Sequence, residues 1–335
     1  MRKRKHLGTV ATGALWLAVS GCWPYGGYGP TTQTVVTPLI DGLNNPTSLL
    51  LTTDGRLIVA ESGAGRIITR DAEGNVSTLV DGFTVGTYAP FNIGPLSMTT
   101  SADGGLIVGE GGNRAGRERV SFCSSDGSPT ADALVPAGGS DFFDVLVEPA
   151  TGNLYIASTG SDRIHVATPT ESGGFSVPTD FVADTTADPI GAAAPAALLF
   201  DSQGRLLVAF ADNRGGKIVA LNTSPDAQSV FVEELVADAA PIPSMAIRPS
   251  DGALAYVAME STRSGSIRIL DAQGTLSTWA SGLTGPTDIV FDAQDVLYVT
   301  LLGDTPNAAA GSVATVEIVE ITTNGANTNG NGNTP

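Results

Sequence analysis

Acidic side chains recur at equivalent points of a repeated strand pair, and they are the residues here whose type and spacing could do chemistry. Asp144 and Asp288 stand where the first strand of a pair begins, and Glu61, Glu110 and Glu260 stand where the second strand ends. Antiparallel neighbours place these starts and ends on one face. Carboxylates from several repeats would suit Ca²⁺, which tolerates irregular oxygen cages. The alternative is a set of solvated loop acids in a very acidic protein.

Three arginines, Arg114, Arg214 and Arg263, fall in the loops that follow the second strands. They either pair with the acids or form with them a mixed surface for a polar ligand such as a sugar or a peptide.

The sequence offers no general base or nucleophile motif. His165 is the one histidine outside the first 21 residues, and it lies in the middle of a predicted strand, where a structural role is expected. A Ser-His-Asp arrangement and a histidine-rich zinc site therefore lack their histidines. No glycine-rich phosphate loop follows a strand and opens a helix, so nucleotide binding is unsupported.

These residues are positioned by a repeat of about 48 residues. An alternating apolar run, a turn and a second apolar run recur six times, and a third strand and, in most units, a fourth strand follow. Four antiparallel strands per repeat, six times, predict a six-bladed β-propeller in an all-β fold. The predicted turn residues are Gly55, Gly104, Gly152, Gly204, Gly252 and Asp295.

The two ends of the repeat region predict how the ring closes. The sixth unit lacks an outer strand, and the segment 35–43 resembles the outer strands at 76–83 and 276–283. We expect this N-terminal strand to complete the last blade, which removes exposed sheet edges. Residues 33–321 then form one domain.

The blade consensus, with Pro-x-x-hydrophobic, Asp-Gly-x-Leu-x-Val-Ala and Gly-x-Ile, resembles the NHL-repeat, gluconolactonase and streptogramin-lyase superfamily of six-bladed propellers. Within it, the chain is most similar to exported propellers linked to scytonemin gene clusters. The resemblance implies a site at the mouth of the central channel. Gluconolactonase-like enzymes hold a divalent cation there with Glu, Asn and Asp, but the early Glu is absent. Streptogramin lyases use a histidine base that has no equivalent here, so no site residue is carried over.

The N-terminus predicts export and lipid anchoring. Residues 1–21 combine four basic residues, a short apolar stretch and small residues before Cys22. The run 19–22 resembles the bacterial lipobox, with Cys22 as the acylated residue. An ordinary signal peptide with an incidental cysteine is the alternative. Trp23 after the cysteine favours the outer membrane, by resemblance to Gram-negative lipoproteins. We read 22–32 as a spacer and 322–335 as a disordered tail.

The charge of the chain disfavours two classes of partner, and the second cysteine has no predicted function. The chain has 34 acidic and 17 basic residues, and no basic cluster outside the N-terminus. Nucleic acid and basic binding to anionic membranes are therefore disfavoured. Cys123 ends a predicted strand and is expected to be an inert, half-buried thiol. We expect a monomer.

The leading hypothesis is an envelope-anchored binding or scaffold module for a small polar ligand, a glycan or a protein. The alternative is a Ca²⁺-dependent lactonase or esterase-like hydrolase with its site at the mouth of the channel. Ca²⁺ is the one cofactor that the residues leave open.

Overall fold

The computed structural model describes residues 31–88, 90–112, 118–224, 229–305 and 307–321. The predictions for the signal segment 1–21, for Cys22, for Arg114 and for the tail 322–335 lie outside these ranges, as does all of the spacer 22–32 except its last two residues. In the part that is described, no helix has the length and apolar character needed to cross a bilayer.

Six four-stranded antiparallel sheets form the predicted six-bladed β-propeller. Two single-turn 3₁₀ segments, Ser62–Ala64 and Thr159–Ser161, are the helical elements of the described residues. The strands are β1 (Thr31–Leu43), β2 (Pro46–Leu51), β3 (Leu57–Glu61), β4 (Arg66–Arg70), β5 (Val76–Val80), β6 (Gly86–Tyr88), β7 (Phe91–Ile93), β8 (Pro95–Thr100), β9 (Leu106–Glu110), β10 (Val120–Cys123), β11 (Pro129–Leu134), β12 (Phe142–Val147), β13 (Leu154–Ser158), β14 (Arg163–Ala167), β15 (Thr179–Val182), β16 (Pro195–Phe200), β17 (Leu206–Phe210), β18 (Lys217–Leu221), β19 (Phe231–Ala237), β20 (Met245–Ile247), β21 (Leu254–Ser261), β22 (Ser264–Leu270), β23 (Leu276–Leu283), β24 (Pro286–Phe291), β25 (Leu297–Leu301) and β26 (Gly311–Ile321).

Blades 1 to 5 are β2–β5, β8–β11, β12–β15, β16–β19 and β20–β23, and blade 6 has the order β1-β26-β25-β24. The N-terminal strand therefore closes the ring, as predicted. It pairs with β26 from Thr31 opposite Ile321 to Leu43 opposite Gly311, so β1 begins two residues before the predicted boundary.

The hairpin turns explain why each blade folds locally. All six predicted turn residues have positive φ, from 63° at Asp295 to 83° at Gly104. Glycine reaches this conformation without steric penalty, and aspartate tolerates it better than most residues. Each turn thus fixes the register between the first and second strands of its blade.

The hydrophobic core is divided among the six interfaces between neighbouring blades. Each buried cluster takes residues from two adjacent sheets; for example, Ile58 and Ala60 of β3 pack with Met98 and Val108 of blade 2. Side chains alternate between the two faces of a strand, so the second strands bury both faces between neighbours. All five residues of β3 are buried.

One element was not predicted. The short hairpin β6–β7 lies in the connection between blade 1 and blade 2. Its sequence, with Gly86 and Tyr88 on one arm, is too short to carry a period-2 signal. It matters below because Phe91 and Ile93 reach the central cavity.

Candidate functional site

A cavity of about 1070 Å³ opens where the first strands of the blades begin, and we call it the channel mouth. It is lined by the connections that enter each first strand and by the loops between the second and third strands. This is the face that the sequence predicted to carry a site. Ligand pockets of this kind measure roughly 300–1,000 Å³.

Six equivalent positions on the first strands surround the inner end of the channel mouth. The ladders pair Ser48 with Ala60 and Asp288 with Thr300, and the other blades repeat this register. The position holds three serines, two aspartates and one alanine: Ser48, Ser97, Asp144, Ala197, Ser244 and Asp288. We call these residues the inner ring. The sequence singled out the aspartates, and the serines would have been found by aligning the six strand starts.

Asp288 joins three blades through hydrogen bonds. Its Oδ2 accepts a bond of 2.7 Å from the Leu49 N–H of blade 1, and its Oδ1 accepts one of 2.6 Å from the Ser244 hydroxyl of blade 5. The Ile289 N–H also donates to Oδ1 at 2.9 Å. These donors favour the ionised form, but burial opposes it more strongly and raises the pKa of Asp288 to about 6.

Asp144 has the corresponding role between blades 3 and 4. Its Oδ2 accepts a bond of 2.7 Å from the Leu198 N–H, and its Oδ1 accepts one of 2.8 Å from the Val145 N–H. Burial first, and the negative charge of Asp288 second, raise the pKa of Asp144 well above its usual range. The charges of the two aspartates therefore repel each other across the channel. Neither forms an ion pair with any residue that the structure describes.

The walls above the inner ring are largely apolar. Blades 4 and 5 contribute alanine, proline and methionine side chains, and the opposite side contributes aromatic and branched residues. These lining residues include Ala196, Ala211, Pro241, Pro243, Met245 and Met259 on one side, and Phe91, Ile93, Leu96 and Phe143 on the other. The channel mouth thus combines a polar inner end with an apolar wall.

An asparagine cluster ties the β6–β7 hairpin to the rim. Asn307, in the β25–β26 loop, accepts bonds from Asn45 Nδ2 at 2.8 Å and from the Asn92 N–H at 2.6 Å. Its own Nδ2 donates to the Pro90 carbonyl at 2.6 Å. Asn45 Nδ2 also donates to the Asn92 carbonyl at 3.1 Å, so Asn307 and Asn45 together hold the hairpin and the Phe91 side of the channel mouth.

Glu61 and Glu110 lie away from the channel mouth. Both are 2 % exposed. Glu61 accepts from the Arg66 Nε at 2.5 Å and from the Asn44 N–H at 2.8 Å. Glu110 accepts from the Arg119 Nε at 3.0 Å and from the Ser121 hydroxyl. Their oxygens are occupied by neighbours within or beside their own blades.

Glu260 differs from the other two glutamates in its position. Ala258 occupies the place in blade 5 that Glu61 and Glu110 hold in theirs, because Ala258 pairs with Ser266 as Glu61 pairs with Arg66. Glu260 follows two residues later, is exposed, and lines the channel mouth. It accepts a bond of 3.2 Å from the Ser266 hydroxyl. The expectation that all three glutamates are equivalent is therefore wrong, since β21 is longer than its counterparts.

The two predicted arginines that the structure describes, Arg214 and Arg263, lie outside the lining of the channel mouth. Arg214 is exposed and pairs with Asp212 at 2.6 Å, which lowers the pKa of that carboxyl to about 2. Arg263 is exposed, and its backbone N–H donates to the Ser261 hydroxyl at 3.2 Å. Among the described lining residues the cation is Arg268, which the sequence did not single out. Its Nη1 lies 2.6 Å from Asp238 Oδ2.

His165 and Cys123 are structural, as expected, but both are more buried than predicted. His165 is 1 % exposed and its Nδ1 lies 3.0 Å from Asp180 Oδ1. Burial lowers the pKa of His165 despite that carboxylate. Cys123 is a free thiol, 4 % exposed, and burial together with Glu110 raises its pKa.

Within the described ranges, no three His, Cys, Asp or Glu side chains come together as a metal site. Of the five predicted calcium ligands, three line the channel mouth (Asp144, Glu260 and Asp288), on blades 3, 5 and 6. Glu260 lies 3.8 Å from the Nη2 of Arg268, and Glu61 and Glu110, with Arg66 and Arg119 as partners, lie outside the lining.

Comparison with known proteins supports the fold. No family model and no curated protein sequence matches the chain. Among solved structures, it is similar to the PQQ-bound aldose sugar dehydrogenase of Streptomyces coelicolor, with a TM-score of 0.62 and 16% identity over 87% of this chain and 100% of that one. It is also similar to a gluconolactonase of Xanthomonas campestris, with a TM-score of 0.58 and 14% identity over 85% and 90% of the two chains.

A third similar structure is a virginiamycin B lyase of Staphylococcus aureus, crystallised with quinupristin, with a TM-score of 0.53 and 14% identity over 87% and 94% of the two chains. The neighbours are thus sugar dehydrogenases, lactonases and streptogramin lyases on one six-bladed fold. At these identities the likeness establishes architecture, and one fold supports many activities.

The channel mouth does not fit PQQ. That cofactor is a tricarboxylate and requires cations or a dense set of N–H donors. The described lining instead carries five acidic residues and one guanidinium, which already contacts Asp238. We therefore derive no step through PQQ.

Proposed function

We propose that this protein is an envelope-anchored propeller that binds a small organic ligand at its channel mouth without transforming it. The observation that carries the proposal is a cavity of about 1070 Å³ with an apolar wall and a polar inner end. Apolar walls with a few convergent polar groups are typical of ligand sites. A large protein or glycan partner would instead use the rim.

Binding is favoured over turnover by the state of the polar groups. Asp144 and Asp288 each accept a hydrogen bond from a backbone N–H of the neighbouring blade. These bonds fix the first strands around the channel and hold each carboxylate in one orientation. Such preorganised acceptors recognise a donor group well. His165, the histidine of the described chain, lies in β14 and is outside the lining of the channel mouth.

The ligand-binding proposal can be tested by filling the cavity. Ala211 is half-buried in the lining, so Ala211→Trp should block the channel mouth. Ala272→Trp, at an exposed turn between β22 and β23, is the matched control. We expect compounds that raise the melting temperature of the wild type to do so for the control and to lose this effect with Ala211→Trp. Equal responses of the two variants would contradict a site at the channel mouth.

The calcium-dependent lactonase remains the alternative, with the gluconolactonase-like structures as its support. It requires Ca²⁺ to gather ligands from blades 3, 5 and 6. Lactone hydrolysis that appears with added Ca²⁺ and disappears in Asp288→Asn would replace the binding proposal. Absence of hydrolysis over a panel of lactones and esters would support binding alone.

The strand order suggests how the anchored protein is oriented. β26 leaves the β25–β26 loop, which carries Leu302 of the channel mouth, and ends at Ile321 beside Thr31. The described chain thus begins on the face opposite the channel mouth. A lipid on Cys22 would then leave the channel mouth turned away from the bilayer.

The lipid anchor can be tested by labelling. Radiolabelled palmitate should be incorporated into the wild type, and Cys22→Ala should abolish the labelling and move the protein to the soluble fraction. Unchanged labelling in Cys22→Ala would contradict the anchor.

A further inference from the structure

The channel mouth holds more negative than positive charge among its described residues. Its acids include Asp141, Asp144 and Asp288, and its guanidinium is that of Arg268. Asp238, outside the lining and 1 % exposed at its side chain, engages that guanidinium at 2.6 Å. The Nη2 of Arg268 also lies 3.8 Å from Glu260 Oε1, so its charge is shared between Asp238 and Glu260. Arg268 therefore forms no ion pair with Asp144 or Asp288 of the inner ring.

The two inner-ring aspartates keep accepting capacity that the fold does not use for charge neutralisation. The hydrogen bonds to Asp144 come from backbone N–H groups, and Asp288 also accepts from the hydroxyls of Ser244 and Ser48. Both residues are half-buried in the lining of the channel mouth. A carboxylate that is partly desolvated and has no cation beside it is unfavourable, and a ligand that brings a positive charge relieves this. Such a ligand finds further acceptors in the hydroxyls of Ser48 and Ser97, which lie on the same ring.

The apolar wall decides which kind of cation fits. Pro241, Pro243, Met245 and Met259 present surface that a hydrated metal ion cannot use. An apolar body against this wall gains roughly 25 cal/mol per Å² of surface removed from water. A molecule with an apolar body and a cationic end matches both halves of the cavity at once.

We propose that the channel mouth selects organic cations, namely protonated amines with an apolar body, and places the ammonium group at Asp144 and Asp288. The inference rests on the proposed function and names the ligand class for that site. An ammonium group donates three hydrogen bonds, which the two carboxylates and the ring hydroxyls can accept. Charge-assisted bonds of this kind are roughly twice as strong as neutral ones.

Three probes of one shape test the charge requirement: 2-phenylethylamine, its neutral analogue 2-phenylethanol, and the anion 3-phenylpropanoate. They would be titrated calorimetrically into the wild-type protein at pH 8, with Ca²⁺ as a fourth ligand. We expect the amine to bind at least about tenfold more tightly than the alcohol. The anion should give no binding heat. Equal affinities of amine and alcohol, or binding of Ca²⁺ without binding of the amine, would overturn the proposal.

Variants link the effect to the inner ring. Asp288→Asn should weaken amine binding about tenfold while the alcohol keeps its affinity, and Asp144→Asn should act in the same direction. Asp251→Asn removes one charge from a turn on the far face, where Asp251 pairs with Arg248, and should leave amine affinity unchanged. Circular dichroism establishes that each variant is folded. An unchanged amine affinity in both inner-ring variants would also overturn the proposal.

Different results would contradict the ligand site and the cationic ligand class. If the alcohol binds as well as the amine and Ala211→Trp abolishes both, the channel mouth is a ligand site but the cation class is wrong. If Ala211→Trp leaves amine binding intact, the site itself is misplaced.

Discussion

Two pairs of acids that look alike in sequence have opposite fates in this propeller. Glu61 and Glu110 end second strands and are closed off by Arg66 and Arg119, whereas Asp144 and Asp288 begin first strands and line the channel mouth without an ion-pair partner in the described chain. The second strand lies one position outward, so its end residue packs between blades. The first strand borders the channel, so its start residue meets the cavity. Position on the blade therefore separates structural carboxylates from candidate functional ones.

The largest effect is expected from pH at the inner ring. The pKa of Asp288 is about 6 in the fold against 3.8 as its ordinary value, so the native state binds this proton more tightly than the unfolded state. Its contribution to stability is present in full below pH 3.8 and is lost as the pH rises through 6. The loss amounts to roughly 3 kcal/mol, at about 1.4 kcal/mol per pKa unit.

Asp288→Asn checks this assignment, because an amide can accept from the Leu49 N–H and donate to the Ser244 hydroxyl without charge. Unfolding free energies at pH 4.5 and pH 7.5 should fall less between the two values in the variant than in the wild type. Identical pH dependence of the two proteins would show that Asp288 ionises as freely as a surface acid.

A smaller effect is expected from the second-strand glutamates, which should affect stability but not ligand binding. Glu110→Gln should lower the unfolding free energy by about 2 kcal/mol, because the buried carboxylate loses its charge-assisted hydrogen bonds from Arg119 and Ser121. Amine affinity should not change, since Glu110 is outside the lining of the channel mouth. Asp54→Asn, which breaks the exposed pair with Arg56, should leave the denaturation midpoint unchanged. Weaker amine binding by Glu110→Gln would contradict the assignment of a purely structural role to the second-strand glutamates.

The smallest effect is expected at the rim. Asn307→Ala removes the bonds to Asn45, Asn92 and Pro90 and should destabilise the fold by about 1 kcal/mol. Release of the β6–β7 hairpin frees the Phe91 side of the apolar wall. We therefore expect hydrogen exchange at the Gly86 and Thr87 amides to quicken while blade interiors keep their protection. Unaltered exchange in the hairpin would show that other contacts hold it.

The repeat made the fold predictable. A turn glycine or aspartate at a fixed place in every unit, together with a spare N-terminal strand, defines blades and ring closure without tertiary information. Boundaries were harder, as in blade 5, where β21 runs to Ser261 and moves Glu260 out of register. The β6–β7 hairpin was missed because three-residue strands carry no periodic signal.

The site was predictable in part. The sequence places Asp144 and Asp288 at first-strand starts and selects the correct face. It cannot show that arginines five and nine residues downstream pair with Glu61 and Glu110. It also gave no reason to single out Arg268, whose role depends on contact with Asp238, 30 residues away. Composition and spacing do not show which side chains on different strands come into contact.

The most direct test of the central claim is a titration of the side-chain carboxyl ¹³C resonances of Asp144 and Asp288, with and without 2-phenylethylamine. The account predicts that Asp288 titrates near pH 6 in the free protein, that Asp144 titrates well above the ordinary aspartate range, and that the amine lowers both values because it stabilises the ionised forms. Ordinary values for both aspartates, unmoved by the amine, would contradict the account.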